Sequence, residues 1–131
     1  MTTTLIISDL HLTNIEEDKV IFFSRFCENH ASKVDQLFIL GDLFNTWLGD
    51  DVSIKSYKAI ISSLKQLTKQ TKVFVMVGNR DFLLSRKFEV ATDCKIIKEP
   101  YELNHNSKKY LLTALIFSII TSIQTARRFA D

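Results

Sequence analysis

Apolar runs of strand length recur along this chain, and three of them stop in the same way. Leu5-Ile6-Ile7 runs into Ser8-Asp9-Leu10-His11, Leu37 to Leu40 into Gly41-Asp42, and Val73 to Val77 into Gly78-Asn79-Arg80-Asp81. Short uninterrupted apolar runs predict strands buried on both faces, and the abrupt polar residues then sit at carboxyl ends of strands, where ligands gather in open α/β sheets. Between the runs the period changes. Thr13 or Asn14 is placed to cap a helix whose first turn holds Glu16, Glu17 and Asp18, and whose apolar stripe is Val20, Phe23 and Cys27 with Phe22 and Phe26 beside them, ending near Asn29. Tyr57, Ile60, Ile61, Leu64 and Leu67 predict one crossover helix from about Ser53 to Thr68, with Lys65, Lys69 and Lys72 on its solvated face and end.

The later part reads more briefly. Phe82-Leu83-Leu84 and Phe88 predict a short helical segment, and Cys94 to Ile97 another strand. Tyr101 to Leu103 and Lys109 to Thr113 predict a hairpin around Asn104-His105-Asn106-Ser107, with His105 exposed at its tip. His30 reads as a solvated helix-end histidine. In the loop after Asp42, Phe44 and Trp47 fit either core or a pocket wall, and Asp50 and Asp51 fit a helix start. From Ala114 to Ile120 there is neither charge nor period. The fold class is α/β, with helices outside a sheet.

Composition narrows the picture modestly. The chain has 131 residues, 46% of them apolar, which suits one folded domain. With only three glycines, Gly41 and Gly78 directly before candidate ligands mark close backbone approach. A net charge of +2 gives no basis for a nucleic-acid surface. Cys27 and Cys94 lack metal-ligand spacing and read as buried thiols in a reducing, cytoplasmic setting. Met1 to Leu5 does not resemble a secretory signal, and Leu111 to Ile123, interrupted by Thr113, Ser118, Thr121 and Ser122, falls short of the ~20 apolar residues of a membrane span.

The three turns carry chemistry together. Asp9 and His11, two residues apart on an extended segment, project to one side and can grip one cation. Mixed oxygen and nitrogen donors favour manganese, iron or zinc. Asp42 has two oxygens with which to bridge a second ion, Asn79 offers an amide oxygen to that ion, and Arg80 has the planar fork that suits phosphate. Two ions about 3.5–4 Å apart clamp an in-line displacement at phosphorus. The predicted reaction class is metal-assisted hydrolysis of a phosphoester or pyrophosphate. A one-magnesium flavodoxin-like or receiver-like module is the competing reading, and His11 and Asn79 suit it poorly.

At these residues the chain resembles the calcineurin-like metallophosphoesterases. Ile7-Ser8-Asp9-Leu10-His11-Leu12, Leu40-Gly41-Asp42-Leu43-Phe44 with Trp47 and Gly49-Asp50-Asp51, and Gly78-Asn79-Arg80-Asp81-Phe82-Leu83 are similar to the UDP-2,3-diacylglucosamine hydrolase branch, over Thr4 to about Thr113. The resemblance implies an α/β/β/α sandwich and a manganese enzyme that splits UDP-2,3-diacylglucosamine into UMP and 2,3-diacylglucosamine 1-phosphate in lipid A synthesis. It implies a Gram-negative source and a nucleotide-sugar lipid substrate met at the cytoplasmic face of the inner membrane, where the enzyme is peripheral. By position, Asp9 and His11 hold the first ion, Asp42 bridges, and Asn79 holds the second. All four act through a metal-activated water, and Asn79 with Arg80 meets the substrate phosphate.

One departure stands out. The family continues after Leu111-Leu112-Thr113 with a His-Gly-Asp motif, and this chain has Ala114-Leu115-Ile116; the later two-histidine motif is absent. The expectation is a metallophosphoesterase part over residues 1–113 and a divergent tail over 114–131, from a truncated or frame-shifted gene. Half a sandwich would expose apolar surface. Two alternatives follow: a catalytically inactive metal-binding remnant, and a metallophosphoesterase of another substrate.

Overall fold

The structure, a computed structural model, describes residues 2–78 and 80–113. The first three apolar runs become strands β1 (Thr4–Ile7), β2 (Gln36–Leu40) and β3 (Lys72–Met76), and the fourth becomes β4 (Lys95–Ile97). They form one parallel sheet in the order β1-β2-β3-β4, in a register that aligns Ile7 with Ile39, Ile39 with Val75, and Val75 with Ile96. Because side chains alternate between faces, this register sends Leu37, Ile39, Val73 and Val75 to one side and Phe38, Leu40, Phe74 and Met76 to the other.

Helices cover the first face. These are α1 (Glu17–Asn29), α2 (Asp50–Ser56), α3 (Lys58–Leu67) and α4 (Arg86–Thr92). Phe23 and Cys27 from α1, Ile60 and Leu64 from α3, and Phe88 from α4 join the strand residues in one buried cluster. A hairpin of β5 (Tyr101–His105) and β6 (Lys108–Leu112) covers the second face with Leu103 and Leu112. Phe38 and Phe74 stack there at 4.6 Å between ring centroids. The described residues thus form three layers, helices, parallel sheet and hairpin, of the expected four-layer sandwich.

Several local expectations change for identifiable reasons. Thr13 does not cap α1 itself; its hydroxyl accepts from the Glu16 amide in the preceding turn. Phe22 lies outside the buried stripe, at 71% exposure. The crossover helix is broken at Tyr57, between α2 and α3. There the Tyr57 hydroxyl donates to the Thr46 carbonyl at 2.7 Å, and the ring packs on Phe44 and Trp47. That tertiary anchor outweighs the helical period. The hairpin closes on Asn106 and Ser107, with φ of 49° and 70°, the left-handed pair of a two-residue turn. His105 is half-buried rather than exposed, its Nε2 lying 2.8 Å from the Thr2 carbonyl.

Both cysteines are buried and free, and burial pushes each thiol up to about 12. His30 is exposed at the end of α1. No helix among the described residues is long and apolar enough to cross a membrane. Leu48, Val52, Phe82 and Leu83 are exposed apolar side chains. The region from Ala114 onward lies outside the described residues.

The hairpin's two faces generate a paired prediction. Leu103→Ala, which empties a buried position, should lower stability by about 2–4 kcal/mol, whereas Leu111→Ala at an exposed position should stay within about 0.5 kcal/mol. Urea denaturation of both variants checks this. Equal losses would mean the hairpin does not pack as described.

Candidate metal centre

The segment after β1 does not simply end; it continues alongside the segment after β2. Asp9 donates its amide to the Gly41 carbonyl at 3.2 Å, His11 to that of Asp42 at 2.9 Å, and Leu12 to that of Leu43 at 2.9 Å. Asn45 donates back to Leu12 at 2.9 Å. The segment after β2 is in turn fastened to β3, with the Gly41 amide on the Met76 carbonyl at 2.8 Å. The two loops are therefore one hydrogen-bonded unit at the carboxyl edge of the sheet.

Within that unit Asp9, His11 and Asp42 have φ of 56°, 47° and 51°. Left-handed backbone costs an L-residue about 1–2 kcal/mol, and aspartate and histidine are among the side chains that tolerate it best. This corrects the extended geometry expected for Asp9 and His11. Alternation along a strand does not bring them together; three left-handed turns do, held by the inter-loop hydrogen bonds.

The three side chains converge, with one donor atom from each lying within 4.8 Å of the others. His11 Nε2 stands 4.0 Å from Asp9 Oδ1 and 4.0 Å from Asp42 Oδ2, too far for a hydrogen bond. Two donors on one transition-metal ion, each about 2.0–2.2 Å from it, stand up to roughly 4.3 Å apart, so both pairs suit a shared cation. Two carboxylates and an imidazole form a donor set that fits manganese, iron or zinc. Asp9 and His11 are about 40% exposed, which leaves the group open to solvent.

Asp42 is the most enclosed of the three. Its Oδ1 accepts from the Arg80 amide at 2.9 Å, while Oδ2 faces His11. Gly78 makes that position possible: a Cβ there would lie 2.5 Å from Asp42 Oδ1 and 2.6 Å from Asp42 N, closer than any side chain fits. Arg80 is exposed beside this carboxylate. Asn79, expected as a ligand of a second ion and a phosphate contact, lies outside the described residues.

Two carboxylates that sequence reasoning left without a part in the site turn out to organise it. Asp81 is fully buried and accepts from the Gly78 amide at 2.7 Å and the Phe44 amide at 3.2 Å, which ties the loop after β3 to the loop after β2. Burial holds its carboxyl above the ordinary range, against the amides of Gly78, Phe44 and Leu43, and the negative charge of Asp42 adds to the rise. Asp50, read as a helix start, directs its carboxylate away from its own helix. It accepts from Trp47 Nε1 and from three donors at the start of α4: the Ser85 amide, the Ser85 hydroxyl and the Phe88 amide. Burial pushes this carboxyl upward, but the hydrogen bonds from Ser85, Trp47 and Phe88 outweigh it and hold the group below the usual range. Asp51 is exposed and paired with Lys87. Trp47 is core, packed with Phe44, Tyr57 and Phe88. The signal available in sequence was that Asp81 closes the Gly78-Asn79-Arg80-Asp81 turn and that Asp50 lies in the acid-containing stretch after Gly41-Asp42.

Comparison with known proteins bears on this geometry. Residues 2–126 match the calcineurin-like phosphoesterase family. The chain is 39% identical over 111 residues to a UDP-2,3-diacylglucosamine hydrolase of Azotobacter vinelandii, covering 84% of this chain and 46% of that protein. It is 37% identical over 112 residues to the protein of the same name from Coxiella burnetii, covering 86% and 46%. The chain thus spans about half the length of these relatives. Among solved structures it resembles Pseudomonas putida nuclease MPE, with a TM-score of 0.55 and 19% identity over 76% of this chain and 50% of that one. It also resembles a protein of unknown function from Aquifex aeolicus, with a TM-score of 0.53 and 20% identity over 86% of this chain and 60% of that one. These two likenesses show a shared fold.

Two predictions follow from the packing around the carboxylates. Gly78→Ala should force Asp42 aside and weaken manganese binding by at least ~10-fold, read by calorimetric titration. For Asp50, the native carboxyl titrates below the unfolded one, so its stabilisation is present above about pH 4 and is lost as pH falls through the depressed native value. The stability gap between wild type and Asp50→Asn, from urea melts, should therefore shrink between about pH 5 and pH 2. A gap that widens on acidification would contradict the direction of the shift.

Proposed function

The chain belongs to the calcineurin-like phosphoesterase family, and on that premise we propose that its carboxyl-edge site serves hydrolysis of the pyrophosphate bond of UDP-2,3-diacylglucosamine. The products would be UMP and 2,3-diacylglucosamine 1-phosphate, and the setting lipid A synthesis at the cytoplasmic face of the inner membrane, with the protein peripheral to it. The observation that carries this reading is the convergence of Asp9, His11 and Asp42 on one open point at the sheet's edge. Support for this substrate over other phosphoesters comes from the relatives' names and their 37% and 39% identity to this chain.

In this reading Asp9 and His11 would hold a first divalent ion, manganese by preference, Asp42 would be shared with a second, and Asn79 would be a ligand of that second ion. When bound, such ions act as Lewis acids that make water a nucleophile at neutral pH and offset charge at phosphorus. The protein's own contribution is placement. Asp81 and the absence of a side chain at Gly78 hold the two loops together so that Asp42 faces His11. Arg80, whose amide is fixed on Asp42, has an exposed side chain, and in this reading its guanidinium fork would take two oxygens of a phosphate at the site. Asn79 would meet the same phosphate. Overall, the oxygen of water becomes bonded to phosphorus, the bridging oxygen leaves with the other phosphate, and the released proton passes to solvent.

A second reading is a metal-binding remnant without turnover. The observation favouring it is Ala114-Leu115-Ile116 where the resemblance implies His-Gly-Asp, so that in this reading the second ion would have fewer donors.

UMP release from UDP-2,3-diacylglucosamine by the purified chain with manganese, beside Asp42→Ala, separates the two. Turnover that falls by at least ~100-fold in the variant is expected for the hydrolase. A folded chain that binds manganese and releases no UMP would leave the remnant.

A further inference from the structure

Arg80 belongs to a segment with two fixed ends. At the near end the Trp47 amide donates to the Arg80 carbonyl at 3.2 Å, and the Arg80 amide donates to Asp42 Oδ1. At the far end Leu84 and Phe88 are buried in the core, and the side-chain hydrogen bonds converge on one carboxylate. Asp50 Oδ1 accepts from the Ser85 amide at 3.2 Å, and Oδ2 accepts from the Ser85 hydroxyl at 2.7 Å and the Phe88 amide at 3.0 Å. The same Oδ1 takes the Trp47 indole N–H at 2.9 Å, which joins the far anchor to the residue holding the near one.

This arrangement is unusual for a helix start. The first turn of α4 has unpaired amides that a side chain just before the helix ordinarily caps, yet Ser85 makes no such cap bond. Asp50, 38 residues before Phe88, takes that place on the Phe88 amide. Asp50 is 6% exposed and forms no ion pair among the described residues; four hydrogen-bond donors compensate its charge, with the Lys87 ammonium acting on it from farther away. Between the two anchors Asp81 is buried on the Gly78 and Phe44 amides and Leu84 is buried in the core, while Phe82 and Leu83 are exposed and add little packing.

We propose that Asp50, acting with the Trp47 indole, is a positioning residue for Arg80: it fixes the far end of the Arg80–Ser85 segment and thereby holds the Arg80 amide on Asp42 and the guanidinium over the site. The carboxylate touches neither substrate nor metal ligand in this role. The inference rests on the reading of Arg80 as the phosphate contact, and it adds the residue that sets where Arg80 stands.

The test uses the full chain with Asp50→Asn, Trp47→Phe and Ser85→Ala. Asn keeps one acceptor oxygen but turns an NH2 group toward donors, Phe removes only the indole N–H from an aromatic cluster, and Ala removes only the hydroxyl bond. The latter two keep the question answerable if Asp50→Asn does not fold. Hydrogen exchange at the Arg80 amide is read without ligand, with the Phe38 and Val75 amides as core references, and UMP binding is measured separately with manganese present. The expected result is Arg80 exchange faster by ~10-fold or more, unchanged core amides, and UMP bound ~10-fold more weakly. Arg80 protection equal to wild type in the folded variants would overturn the proposal, as would faster exchange confined to Ser85 and Phe88. Failure of the wild-type chain to bind UMP would instead count against the phosphate reading of Arg80, and the exchange measurement would still decide the positioning role.

Discussion

Asp42 and Gly78 are in contact with no room between them, and most of the site follows from that contact. They follow adjacent parallel strands, so the loops carrying them leave the sheet side by side. The register brings the Asp42 carboxylate against the backbone after β3, and a Cβ at residue 78 would lie 2.5 Å from it. Once Asp42 is held there, its Oδ1 takes the Arg80 amide and its Oδ2 is left facing His11. A methyl group at Gly78 would separate the second and third turns.

The site concentrates features that a stable fold ordinarily avoids. Three non-glycine residues take left-handed backbone within one small region, and two nearby carboxylates are buried with no ion pair among the described residues. The compensation is local and consists of hydrogen bonds. The inter-loop ladder from Asp9 to Asn45 holds the left-handed residues, and backbone amides, a hydroxyl and an indole satisfy Asp50 and Asp81. The opposite directions of their titration follow from this supply: burial prevails at Asp81, which is served by backbone amides alone beside the charge of Asp42, and donors prevail at Asp50, where an indole and a hydroxyl join the amides. Strain of this kind persists where surrounding structure fixes it, and it is common where ligands bind.

The parallel sheet was legible because its strands are short apolar runs with turn residues at each end, and buried-strand composition depends little on what lies far away in sequence. The three turns were legible as a constellation for the same reason. What the residues alone did not reveal was set by contacts between distant segments. Asp9 and His11 look like alternating positions on a strand until the loop after β2 is seen to draw them into left-handed turns. The helical period from Ser53 to Thr68 gives no hint that Tyr57 is pulled out of it by Thr46 and the aromatic cluster. Asp50 sits where an acid suits a helix start, so its partners, 35 and 38 residues onward, were invisible.

The central claim is that left-handed turns after two adjacent strands build a cation site from Asp9, His11 and Asp42. Pulsed electron paramagnetic resonance of the manganese-loaded chain tests it most directly, because a coordinated imidazole imprints its nitrogen on the metal signal. A single class of histidine nitrogen coupling should be present in the wild type and lost in His11→Gln, with both proteins folded. Bound manganese without nitrogen coupling, or coupling that survives the loss of His11, would contradict a site assembled on these three residues.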